Sequence, residues 1–414
     1  MTSATPRETL RTLLWPVYAP SFGYAAGISA LLPAQVVLAL HLGFTAAQVA
    51  LLATAVGGFA IVASFAAGYL VQWLGEGRAL AVTTAPTITL LLATWLATAH
   101  TASATARVVL IVALLAVDLS DAVWSIARQG LVADLAPLAH RGRAMNVYGA
   151  SQRLGRVLGP FVAAAVLAVA DAGAVFPVAA AFVAIAWGVL AAHLRHLPAP
   201  SAEPGRPTSA AAPLAAPMSA LFILGAGVLM LSAVRTAKET LIPLWGADGL
   251  HLAPATVALV AGIGSLAELV LFWPAGLALD RLGRAPVATT CLALMGVGLM
   301  AMPFSHTLGW FVAAAILVGL GDGVGAGIVK TMGIDIAPAR DRGRFLGWWQ
   351  SISSIGSFVA PALAGAVIGA ASLAAALPAV GVLGIAGGAW MAWWTPRFIP
   401  RPARAAAPHT PADR

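Results

Sequence analysis

Residues 134–144 read DLAPLAHRGRA and residues 335–345 read DIAPARDRGRF. Asp134, Pro137, Arg141, Gly142 and Arg143 each recur 201 positions later, as Asp335, Pro338, Arg342, Gly343 and Arg344. Such a recurrence marks an internal duplication. A weaker echo relates SALLPAQ at 29–35 to ETLIPLW at 239–245, pairing Leu31 and Pro33 with Leu241 and Pro243. Between the copies lies RHLPAPSAEPGRPTSAAAPLAAP, residues 195–217, whose prolines and small residues describe an extended linker without a core of its own. The chain thus divides into a first half, 1–195, a linker, 196–217, and a second half, 218–414.

Both halves are strongly apolar. Of 414 residues, 60% are hydrophobic and only 9% charged, whereas a soluble domain carries about a quarter of its residues charged. The apolar residues suffice for roughly twelve membrane spans of about twenty residues each. The runs are continuous and do not alternate in ten-residue segments, which favours helices over an outer-membrane barrel. Spans are predicted near 13–40, 46–73, 79–98, 107–130, 145–170, 174–194, 218–246, 254–279, 285–304, 308–334, 345–370 and 373–395. The first is too long for the apolar core of a signal peptide and is read as a span. The predicted fold class is an all-α membrane protein of twelve transmembrane helices in two pseudo-symmetric six-helix bundles.

The net charge of +8 does not gather on one soluble face, so it does not indicate nucleic acid. With the N-terminus placed inside, sixteen of the 23 Arg and Lys fall in inner loops and tails and only Arg107 falls outside. That asymmetry puts both termini in the cytoplasm. Trp15, Trp73, Trp245, Trp310, Trp393 and Trp394 lie near span ends, where indoles anchor at the interface. Arg outnumbers Lys 21 to 2, a coding bias that points to a bacterial cytoplasmic membrane. The single cysteine, Cys291, precludes an internal disulfide or a cysteine zinc site.

GLALDRLGR at 276–284 lies between the second and third spans of the second half, with Gly276, Asp280, Arg281, Gly283 and Arg284 in a recognisable pattern. With the two six-span halves, the central linker and the duplicated basic loops, it resembles the major facilitator superfamily of secondary transporters, over essentially the whole chain. The first half departs from the pattern: GYLVQWLGEGR at 68–78 keeps Gly68, Gly75 and Arg78 but has Gln72 and Trp73 in place of the acid and base. The resemblance implies that Asp280 engages the start of the fifth span near Arg141 and Arg143, latching the outward-facing state through a helix N-terminus. In the fourth span, IARQGLVAD at 126–134 resembles a second family motif through Arg128, Gln129 and Gly130. In the fifth, Gly155, Gly159 and Pro160 of GRVLGP look like the core of the motif of drug/proton antiporters, although close helix packing explains small residues there equally well.

Five acids (Asp118, Asp121, Glu239, Glu268, Asp322) and six bases (Arg128, Arg153, Arg156, Arg235, Lys238, Lys330) fall within spans. At about 3 kcal/mol each, left unpaired they would cost on the order of 30 kcal/mol, so they must pair or face a wet cavity between the halves. Asp121 and Arg128 are nearly two turns apart, with Asp118 and Trp124 one turn from Asp121. Arg153 and Arg156 share a face, as do Arg235 and Glu239. The 201-residue offset pairs Asp121 with Asp322, and GLGDGVGAG around Asp322 suggests close packing or a bend. A carboxylate that alternates between wet and cation-paired surroundings takes up and releases a proton, so Asp121, Glu239, Glu268 and Asp322 are candidates for proton coupling; permanent ion pairs are the alternative. The first span, where many proton-driven exporters of the superfamily carry an acid, has none. Candidates for substrate binding are Asp118, Arg128, Trp124, Arg153, Arg156, Arg235, Lys330, Tyr24 and Gln35, because guanidinium and ammonium groups hold carboxylates or phosphates and the uncharged residues serve as cavity walls. Six bases against five acids favour a mixed or anion-accepting pocket.

Lys238 and Lys330 sit in no phosphate-cradling loop, and no HExxH or GxSxG occurs, which removes ATP hydrolysis and common hydrolytic chemistry. No cofactor or metal is expected. The sequence therefore predicts a transporter working by alternating access, with protons, a small molecule and the bilayer as partners and a monomer as sufficient unit. The leading expectation is proton-coupled export of an amphiphilic or organic compound. Proton symport of a polar or anionic solute, lysolipid flipping and, last, a non-transporting receptor are its rivals.

Overall fold

The computed structural model describes residues 6–98, 103–136, 141–194, 218–337 and 342–399. The linker 196–217 lies outside them. Among the described residues the secondary structure is entirely helical. In the first half, α1 (Pro6–Leu13) runs through a π-helical turn into α2 (Ala19–His41), followed by α3 (Ala46–Leu74), α4 (Glu76–Thr98), α5 (Ala104–Leu135), α6 (Arg141–Leu167) and α7 (Val175–Leu194). In the second, α8 (Met218–Leu244), α9 (Pro254–Leu282), α10 (Arg284–Ala301), α11 (Leu308–Val324), α12 (Ile328–Ile336), α13 (Arg342–Ala370) and α14 (Leu373–Phe398) follow. α11 and α12 are two pieces of one span, so the helices form twelve spans.

Helix ends follow local chemistry. Thr45 and Gln48 form a reciprocal capping box at the start of α3, with backbone-to-side-chain bonds of 2.9 and 3.3 Å. Ser103, Thr307 and Ser372 cap α5, α11 and α14 through their hydroxyls. At the far ends of α3 and α9, Gly75 and Gly283 take φ of 74° and 85° with extended ψ, a region open only to glycine. These are duplicated glycines of the loop motif, and their role is to stop the helix.

Packing follows the duplication. α2 lies on α6 and α7 as α8 lies on α13 and α14; α3 lies on α5 as α9 lies on α11; α4 lies on α5 and α7 as α10 lies on α11 and α14. The bundles meet along α6 against α9 and α3 against α13. Gly57 abuts Ser357, Gly365 abuts Ala50 and Leu51, and Gly262 faces the ring of Phe161.

Among the described residues, eleven helical segments are long and apolar enough to cross a membrane. The twelfth span, α6, falls short of that criterion. It carries Gln152, Arg153 and Arg156, which lower its hydropathy, and is packed between α2 and α9.

A charged cavity between the bundles

A cavity of about 250 Å³ lies between the bundles, lined by α2 and α6 on one side and by α8, α9 and α11 on the other. Its charged lining is Arg153 and Arg156 from α6, Arg235, Lys238 and Glu239 from α8, Glu268 from α9 and Asp322 from α11. The rest is aliphatic or small, including Leu32, Val157, Ile242, Val260 and Leu269.

Five of the seven charges form one chain of ion pairs. Arg235 Nε donates to Asp322 Oδ1 at 2.5 Å, and Lys238 Nζ donates to Asp322 Oδ2. Lys238 also reaches Glu268 Oε2 at 3.2 Å, and Glu268 Oε1 accepts from Arg153 NH1 at 3.2 Å. The last pair crosses from one bundle to the other. Three cations thus share two carboxylates, which satisfies charges that would be costly singly.

Glycines make this proximity possible. A Cβ on Gly319 of α11 would run into the carbonyl of Gly264 on α9, and one on Gly323 into the carbonyl of Glu268. The two backbones therefore touch beside both acids. α11 then ends at Gly325, and Gly327, at φ 80°, starts α12. Arg235 NH2 donates to the carbonyl of Gly325 at 2.8 Å and to that of Asp322 at 3.4 Å, placing a cation on the negative end of the broken helix. The bend suggested by GLGDGVGAG is thus a break capped by a side chain of α8.

Glu239 and Arg156 are exposed to the cavity from opposite bundles. Asp121 is exposed too, facing Arg156 and Arg128, but is not part of the cavity lining. Tyr24, Trp124 and Arg128 form a separate cluster inside the first bundle. The two rings stack at 4.4 Å, and the Arg128 guanidinium lies 3.9 Å above the Trp124 ring. Trp124 Nε1 donates to Thr84 at 2.8 Å. Arg128 Nε and NH2, Asp118 Oδ2 and the Tyr24 hydroxyl are buried with no hydrogen-bond partner among the described residues. The cluster is set apart from the cavity, and so is Gln35, which lines a small pocket of α2, α3, α5 and α8. Lys330 is exposed on α12, beyond the break and off the cavity lining.

The sequence reading singles out Arg235 but not Lys238 as a binding group, although Lys238 joins both acids. Its three-residue spacing from Arg235 is the available signal. Ser29 escapes that reading too; its hydroxyl donates to the Arg156 carbonyl at 2.7 Å. Gly155 and Gly159 sit where α6 presses on α2, a Cβ at Gly159 falling 2.6 Å from Ala26 O and Ala30 N. Packing accounts for them.

In the loop motif, Arg284 grips Asp335 with two bonds of 2.6 and 3.3 Å, tying α10 to the end of α12. Arg281 is exposed, and nothing crowds Gly276. The side chains of Asp280, Arg141 and Arg143 lie outside the described residues, so the expected latch has no geometry here.

The family profile described as Major Facilitator Superfamily matches residues 20–237 and 225–413. The "Niacin transporter NiaP" of Acinetobacter baylyi is 32% identical over 146 residues, 34% of this chain and 32% of that protein. The matched stretch therefore spans about a third of that relative's length. Among solved structures, a peptide transporter POT in complex with sulfate superposes with a TM-score of 0.71 at 15% identity, covering 94% of each chain. A point mutant of the nucleoside transporter NupG gives 0.72 at 11%, covering 94% of this chain and 100% of that one. A D-xylose–proton symporter gives 0.68 at 12%, covering 93% and 97%. At these identities the likeness is one of fold.

Proposed function

This chain belongs to the major facilitator superfamily and is a multi-pass secondary transporter, not an enzyme; we propose that it takes up a small, polar, carboxylate-bearing solute together with protons. The observation that carries this reading is the ion-pair chain inside the cavity, above all the Arg153–Glu268 pair that joins the bundles. A cavity lined by four cations and three acids suits a charged solute better than an amphiphile. The partial likeness to a niacin transporter supports a carboxylate. Export, the leading expectation from sequence, has less support, because the glycines that suggested it are explained by the packing of α6 on α2.

In this reading the bundles 1–195 and 218–414 rock about the cavity, and Glu268 is the coupling acid. Among the described residues it alone holds a cation from each bundle, and its side chain is 28% exposed. Protonation of Glu268 weakens its hold on Arg153 and lets the bundles separate; solute binding and release follow on alternate faces. Asp322, 9% exposed between two cations, serves as an anchor. Asp121 and Glu239 remain rival coupling acids. The loop-motif residues, Asp280 included, limit opening on the side of the termini, which are cytoplasmic in a bacterial inner membrane, and one chain suffices for transport.

The test is uptake into proteoliposomes under an imposed pH gradient, with nicotinate, short carboxylates, amino acids, sugars and lysolipids offered in turn. A carboxylate is expected to accumulate. Glu268→Gln should abolish accumulation while sparing exchange of solute against solute. Full gradient-driven accumulation by Glu268→Gln would remove Glu268 from the coupling step.

A further inference from the structure

Two charges of the cavity take no part in the ion-pair chain. Arg156, on α6, and Glu239, on α8, are exposed to the same cavity from opposite bundles. Among the described residues neither side chain has a hydrogen-bond or ion-pair partner. Each lies within the other's field, with Lys238 beside Glu239 and Asp121 beside Arg156. The remaining groups are committed: Asp322 to Arg235 and Lys238, Glu268 to Lys238 and Arg153. Among the described residues, the cavity thus offers one free cation and one free anion on facing walls.

We propose that Arg156 and Glu239 are the two poles of a site for a small zwitterion, the carboxylate seated on Arg156 and the protonated nitrogen on Glu239. This rests on the transport reading above and names its substrate class. A guanidinium presents paired donors to a carboxylate, and a carboxylate accepts from an ammonium, so one ligand meets both exposed charges. A carboxylate without the amine leaves Glu239 unmet, and an amine without the carboxylate leaves Arg156 unmet, which is the physical basis of selection. The volume, about 250 Å³, is below the roughly 300–1,000 Å³ of pockets for drug-sized ligands and sets a size limit. Among the described residues the uncharged lining includes no aromatic side chain; Leu32, Val157, Ile242, Val260 and Leu269 suit an aliphatic spacer. The Arg156 backbone is held by Ser29 and by the fit of Gly155 and Gly159 against α2, which fixes the cationic pole relative to its own bundle. The span between the poles changes as the bundles move, so ligand length is the variable the site reads.

The test is calorimetric binding to the full-length protein in nanodiscs, with ω-amino acids of two to six carbons and the matched carboxylates and amines as probes. One ω-amino acid is expected to bind at least tenfold tighter than its matched carboxylate and amine. Glu239→Gln should bring its affinity down to that of the carboxylate, and Arg156→Gln to that of the amine. Glu239→Asp withdraws the anionic pole by one methylene and should move the preferred ligand to the next longer homologue, a shift that a merely structural role would not produce. No binding by any ω-amino acid, equal binding of the matched carboxylate, or an order unchanged in Glu239→Gln and Glu239→Asp overturns the proposal. Proton-driven uptake of a carboxylate with such an unchanged order leaves the transport reading standing and removes the zwitterion site. Zwitterion binding without proton-driven uptake of any solute does the reverse.

Discussion

Replacing Asp322 by Asn removes one charge from between two cations and little else, since the side chains are nearly the same size. Lys238 is 13% exposed and Arg235 25%, so water makes up little of the loss. Removing one partner of a buried pair costs about 3–5 kcal/mol. The substituted amide would still accept one bond from Arg235, which places the expected loss near the lower bound, about 3 kcal/mol. Arg153→Gln provides the contrast. Its pair with Glu268 is 30% and 28% exposed, and Glu268 keeps Lys238, so about 1 kcal/mol or less is expected. Lys238→Gln added to Asp322→Asn removes one of the two cations that lost their shared carboxylate, Lys238 having kept only Glu268, and should recover about 1–3 kcal/mol relative to additivity. The assay is SDS-titrated unfolding in mixed micelles followed by circular dichroism. Equal losses for Asp322→Asn and Arg153→Gln, or an additive double variant, would refute the claim that Asp322 is the anchor of the chain.

Three further outcomes are expected. Gly159→Ala, whose new Cβ meets backbone atoms of α2, should cost about 1–3 kcal/mol, whereas Gly68→Ala, with nothing within 4 Å, should be neutral or stabilise by up to about 1 kcal/mol; parallel thermal melts in one detergent decide, and equal melting points sink the packing account. Gly327→Ala places a side chain at φ 80° and should cost about 1–2 kcal/mol in the same melts, against no loss if the α11–α12 break tolerates any residue. Arg284→Gln and Asp335→Asn should each destabilise modestly, with a double-mutant coupling of about 0.2–1 kcal/mol; zero coupling would mean that their two hydrogen bonds hold nothing together.

The duplication made the two-bundle fold legible, because hydrophobic length and the spacing of Pro, Gly and Arg depend on local sequence. The predicted span starts at 46 and 373 fall beside the capping residues Thr45 and Ser372 for the same reason. The site was legible as a set of residue types but not as a pairing. Asp121 and Asp322 occupy equivalent positions in the repeat, yet Asp322 is clamped while Asp121 has no ion pair among the described residues. The difference is supplied by another helix: α8 brings Arg235 and Lys238, while its counterpart α2 has no Lys, Arg, Asp or Glu at all. The Arg153–Glu268 pair joins residues 115 positions apart that no repeat offset relates. The seven-residue spacing of Asp121 and Arg128 did put both on one helix, but aromatic neighbours from α2 and α5 drew the guanidinium onto their faces.

Bare backbone separates α9 from α11 at Gly264, Gly319 and Gly323. With no side chain to act as a bearing, the two helices cannot slide past each other without collision, so Glu268 and Asp322 ride on one stiff plate. In the proposed transport cycle the spacing between the acids is then a constant. What moves against that plate in the proposed cycle is α6 of the other bundle, so a single cation, Arg153, is taken from and returned to a stationary pair of anions.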